Sequence, residues 1–169
     1  MAHRQRPPKD LITLLPDSDR RALAEHLDEG GWIVAGKYAM IVLAEELEGQ
    51  AAGVVDSGMW YEIQQVRWEA ATRRLTCVWV DPGRAPIEVT TDSEDPAEFM
   101  RDVTEKVNRT LITHRTEAMP NGTRVTAWVR RREDDQLFSV LTADGPLDEE
   151  SQSLASRLER EVRESVGLD

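Results

Sequence analysis

The sequence predicts an α+β protein: an antiparallel, curled sheet of six to seven strands with three helices. Three observations carry this. Short runs rich in β-branched and aromatic residues, such as Leu-Thr-Cys-Val-Trp-Val at 75–80, recur along the chain. Turn residues such as Asp81-Pro82-Gly83 separate successive runs closely enough for hairpins rather than crossovers. Two other segments, 95–118 and 148–166, repeat apolar residues every four positions, the helical period. Hairpinned strands with helices set apart from them define the class.

Residues 1–10 read as a disordered basic tail with no apolar region behind it, and 11–169 as a single domain. Asp17 and Ser18 are N-cap types, and Ala22, Leu23 and Leu27 follow at helical spacing, so 17–28 is the first expected helix, stopped by Gly30-Gly31. The apolar stretch 32–43 has one charge, Lys37, beside Gly36; it divides into strands near 32–35 and 38–44. Residues 45–58 are acidic, then small, and read as an exposed loop. In 59–69, Trp60 and Trp68 fall on one face of an alternating strand, and 75–80 returns as its hairpin partner, placing Trp79 beside them. Residues 86–90 add one short strand.

The best-signalled helix begins at Asp95, with Pro96 at its first position and Glu98 three residues after the cap. Phe99, Val103, Val107 and Leu111 continue the stripe, so the helix is expected to run to about 118. A strand with Val125, Ala127 and Val129 on one face and Arg124, Thr126, Trp128 and Arg130 on the other then pairs with 137–142. The last helix, capped by Asp148 or Ser151, carries Leu154, Leu158, Val162 and Val166.

The segments 14–16, 32–43, 60–68 and 75–80 together resemble an uncharacterised conserved actinobacterial protein family. The string Val66-Arg67-Trp68-Glu69, a short turn and an apolar strand also resemble the strand pairs of bacterial pleckstrin-homology-like domains. That resemblance covers the first two thirds of the chain and implies a binding or scaffolding role. The strands and helix after residue 118 depart from its plan.

A net charge of −11 disfavours nucleic acid and anionic lipid surfaces, despite the run Arg130-Arg131-Arg132. One cysteine, Cys77, allows no internal disulfide and points to a reducing, cytoplasmic setting; no apolar run is long enough for membrane insertion. His3, His26 and His114 lack partners at metal-site spacing, and the glycines form no phosphate loop, so no metal, cofactor or catalytic group is expected. Whether the protein is an enzyme stays open, with the balance against it.

Five tryptophans against two Tyr and two Phe are the oddest feature of the composition. They are either a core cluster or contact residues for a partner. The expected function is a non-catalytic protein–protein interaction or scaffold domain that self-associates as a homodimer. The candidate interface is Trp128, Arg124, Arg130 and Arg132, with Trp60. The alternative is a small-ligand or lipid-like binding module with a pocket between the sheet and the helix at 95–118.

Overall fold

A computed structural model describes residues 5–168, which form two compact units. Unit 1 comprises residues 5–79 and 84–107; unit 2 comprises 80–83 and 108–168. Each unit has a core of its own, and the residues expected as one domain, 11–169, run through both. The α+β class and the antiparallel pairing are as the sequence predicts. The strand count is not: ten strands lie in three sheets instead of six or seven in one.

Unit 1 opens with a short helix, α1 (Lys9–Ile12), which begins in the last two residues of the segment expected as a tail; residues 1–4 of that segment lie outside the described part. A four-stranded meander follows: β1 (Ala24–Leu27), β2 (Gly31–Ala35), β3 (Ala39–Ala44) and β4 (Gly53–Met59). A three-stranded meander comes next: β5 (Ile63–Glu69), β6 (Arg74–Trp79) and β7 (Ile87–Thr90). Helix α2 (Ala97–Thr110), whose residues to Val107 belong to unit 1, buries Phe99 and Val103 in the core with Ile33, Met40, Ile63, Leu75 and Cys77. Among the described residues no helix is long and apolar enough to cross a membrane.

The helix expected at 17–28 is a single 3-10 turn, Asp17–Asp19, followed by β1. The Asp19 carboxylate is buried and accepts the Lys37 N–H at 2.8 Å, closing the β2–β3 hairpin. A Cβ at Gly36 would stand 2.5 Å from that carboxylate, which is why the bend needs glycine. The sequence from Ala24 onward is drawn into pairing with β2, an edge the helical count cannot see. The expected loop 45–58 contributes most of β4, with a bulge where Leu43 pairs with Val54 and Val42 with Asp56.

The outer edge of β4 is largely occupied by side chains. Asp56 Oδ1 accepts the Ser57 N–H and Glu62 Oε2 accepts the Met59 N–H, both at 2.8 Å. Arg84 donates to the Ser57 carbonyl and to Asp56. Such an edge has few groups left for a further strand.

Unit 2 is a three-stranded sheet, β8 (Leu111–Ala118), β9 (Arg124–Arg131) and β10 (Leu137–Ala143), with helix α3 (Glu149–Ser165) on one face. Val125, Ala127 and Val129 pack under Ala155, Leu158 and Val162. Asp148 caps α3 through the Ser151 N–H at 2.8 Å. The helix expected to reach 118 stops at Thr110, because 111–118 pairs with β9, with a register shift between Leu111 and Thr113. Leu111 extends the helical stripe, but the β-branched Ile112, Thr113 and Thr116 favour the strand.

Candidate functional site

The site grows from the way β1 meets the second meander. Only the end of β1 is joined to it, through the Leu27–Thr91 bridge and backbone bonds from Asp28 N to Thr90 O and Asp92 N to His26 O. Beside Ala24 and Glu25 the strand edge is left open, because the chain has already turned at Ser93 toward α2. A cleft of about 350 Å³ occupies this gap.

Leu23, Ala24 and Phe99 give the cleft an apolar floor; Gln5, Glu25, Ser93, Asp95, Glu98 and Arg101 supply its polar lining. Glu25 is half-buried, whereas Asp95, Glu98 and Arg101 are exposed. Burial raises the Glu25 carboxyl from its ordinary 4.5 to about 7, with the charges of Asp95, Asp92 and Glu98 adding to the effect. Asp95 accepts the Ala97 N–H at 3.3 Å, the cap bond the sequence predicts.

On the other side of β1, His26 stands between two carboxylates, with Nε2 3.1 Å from Glu45 and Nδ1 3.4 Å from Asp92. Glu45 also accepts the Trp32 indole N–H at 3.2 Å. Among the described residues no three His, Cys, Asp or Glu side chains converge as a metal-ion set. A carboxyl that is half-ionised near neutrality, in a partly dry cleft, can pair with an organic cation, whose charge removes the penalty of ionising Glu25.

The candidate interface residues fare differently from one another. Trp60 is 4% exposed in the core of unit 1, so it is not a surface contact residue. A 3-10 turn, Trp60–Glu62, separates it from Trp68, so the two do not share one strand. Arg130 is 1% exposed; its guanidinium donates to Thr110 Oγ1 and lies 5.5 Å from the Trp128 ring. Burial lowers its pKa to about 10. Arg130 keeps the β9 face that alternation assigns it, but is buried there, whereas Trp60 reaches the core from a turn and not from the expected strand. Arg124 and Arg132 are exposed, the latter 4.7 Å above the Phe138 ring. Trp128 is half-buried, donates to Thr142 and stacks on His114 at 5.0 Å.

The cleft carboxylates escape sequence reasoning because Glu25 sits in the segment read as a helix. The one available signal was the density of acids at 92–98 beside a capped helix start. No protein-family model matches the chain, and neither the curated proteins nor the solved structures provide a match.

Proposed function

We propose that this is a binding protein whose unit 1 takes a small organic cation, an ammonium or guanidinium on a short apolar body, in the cleft between β1 and α2. The observation that carries the reading is Glu25: a half-buried carboxyl with a raised pKa, facing an open cleft with an apolar floor. The reading is the sequence alternative of a pocket between sheet and helix, with its ligand changed from lipid-like to cationic because of the acidic lining. The order of unit 1, four strands, three strands and a helix, supports keeping the pleckstrin-homology-like resemblance as a proposal for this unit. The segments that depart from that plan fall in unit 2.

The test is a nuclear magnetic resonance titration with phenethylamine and agmatine against benzoate and acetate. Amides of 23–26 and 93–101 should shift with the amines and not with the acids. Glu25→Gln should weaken amine binding by about tenfold, equivalent to ~1.4 kcal/mol. Saturable binding of benzoate, or no shift with either amine, overturns the proposal.

Self-association is a second reading, supported by the sheet face of unit 2 opposite α3, where Trp128 and His114 stack. It predicts a dimer by sedimentation at about 10 μM, weakened by about 2 kcal/mol or more in Trp128→Ala. A wild-type monomer across that range removes it.

A further inference from the structure

We propose that the outer edge of β10 is the surface on which a second copy of this chain docks, strand against strand, to give a two-fold dimer with Val140 on its axis.

The hydrogen bonds that close the β9–β10 pairing at its two ends define this edge. The Arg132 N–H donates to the Gln136 carbonyl at one end, and the Asp144 N–H donates to the Arg124 carbonyl at the other. Antiparallel pairs alternate between bonded and non-bonded positions, so Phe138, Val140 and Thr142 exchange bonds with Arg130, Trp128 and Thr126. Leu137, Ser139, Leu141 and Ala143 turn their N–H and C=O groups the other way, where the sheet has no further strand. Among the described residues no hydrogen bond reaches these backbone groups.

Other strand edges are guarded. β4 is sealed by Asp56, Glu62 and Arg84. β5 carries Arg67 and Glu69, and β8 carries Arg115 and Glu117, charges that oppose an added strand. β10 has no such device. From 137 to 143 it holds no charged residue and no proline, and its residues are half-buried as far as Thr142. An edge of this length and character is a template for another strand.

The symmetry of the row selects a second copy as that strand. With Val140 opposite its own copy in an antiparallel pair, Ser139 meets Leu141 and Leu137 meets Ala143, so every outward-facing residue finds an outward-facing partner. Moving the axis to Ser139 or Leu141 leaves one end of the row unpaired. Phe138 then stands opposite Thr142, and no like charges meet although the chain carries −11 overall. Beside the edge the charge is balanced: the Ser139 hydroxyl donates to Glu159 and accepts from Arg163. The inference rests on the self-association reading above but places the contact on the edge of the sheet, not on the face that holds Trp128.

Val140→Cys tests the axis in the full chain. Non-bonded antiparallel partners stand about 4.5 Å apart at Cα, within reach of a disulfide. Thr142→Cys is the control: it lies on the same face, but in this register its copy is displaced along the strand by about 13 Å, too far for a bridge. Under mild oxidation, with Cys77 buried, Val140→Cys should form a linked dimer at least about tenfold faster than Thr142→Cys. Val140→Lys, which sets like charges across the axis, should sediment as a monomer at about 10 μM, where the wild type is a dimer. The cross-link needs no disruptive change and decides the matter if Val140→Lys folds poorly. Equal cross-linking rates for the two thiols, an intact dimer in Val140→Lys, or a wild-type monomer overturns the proposal. A wild-type dimer that is lost in Trp128→Ala, with Val140→Cys unlinked, also overturns it and leaves self-association through the face standing.

Discussion

The guanidinium carbon of Arg84 lies 3.4 Å from the centre of the Trp79 ring. The same indole rests on Gly58, where any Cβ would overlap the ring, and its N–H reaches the Ala85 carbonyl at 3.1 Å. Arg84 also holds Asp56 and the Ser57 carbonyl, so one side chain covers an aromatic ring and seals a strand edge.

Gly58→Ala should therefore be a packing lesion, not a conformational one, since Gly58 is not among the positive-φ glycines. Overlap with a 2%-exposed ring forces Trp79 or β4 to shift, at a cost of about 1–3 kcal/mol. Chemical denaturation measures it; a loss below about 0.5 kcal/mol, the range of an ordinary surface change, would contradict the packing.

Removing the edge seal should promote association. In the double variant Asp56→Ala, Arg84→Ala, the Ser57 N–H and carbonyl lose their side-chain partners and face solvent near Val54 and Val55, which are 49% and 56% exposed. Sedimentation should show a higher average mass than wild type, rising with concentration. Identical profiles would mean that the β4 bulge alone protects the edge.

Cys77 should be inert in the native protein. It is fully buried on β6, and burial pushes its thiol up to about 12, an effect only partly offset by Arg84. Thiol labelling at pH 8 should be slower by about tenfold or more than in denaturant, because the thiolate is the reacting form. Equal rates would place the thiol at the surface.

The Asp148 cap should matter in a pH-dependent way. Its carboxyl is held below the ordinary 3.8 by hydrogen bonding to Ser151, whose N–H it accepts. A depressed pKa contributes stability above 3.8 that is lost as pH falls through the lower, folded value. Asp148→Ala should lower the melting temperature at pH 7, and the difference from wild type should shrink below 3.8. A difference that is constant across this range would assign the loss to helix propensity instead.

Local chemistry was legible where it decides structure locally. The Gly36–Lys37 bend, the β5–β6 hairpin, the Asp148 cap and the α3 stripe all appear as the residues predict. The failures are places where two periods coincide. Ala22, Leu23 and Leu27 fit a helix, yet Ala24 and Leu27 also face opposite cores from a strand. Leu111 ends a helical stripe and begins β8. In each case a partner strand distant in sequence breaks the tie. The cleft was illegible for the same reason, since Glu25 meets Asp92, Asp95 and Glu98 only once β1 exists.

All five indole N–H groups find an acceptor within the chain: Glu45 for Trp32, Gly36 for Trp60, Thr91 for Trp68, Ala85 for Trp79 and Thr142 for Trp128. Four of these emitters belong to unit 1 and one to unit 2. The protein's ultraviolet emission is thus a lopsided record, in which melting of unit 2 changes the light from a single chromophore already stacked on a histidine. A Trp128→Phe chain would report unit 1 alone, and subtracting its signal from that of the parent would isolate unit 2 without any added dye.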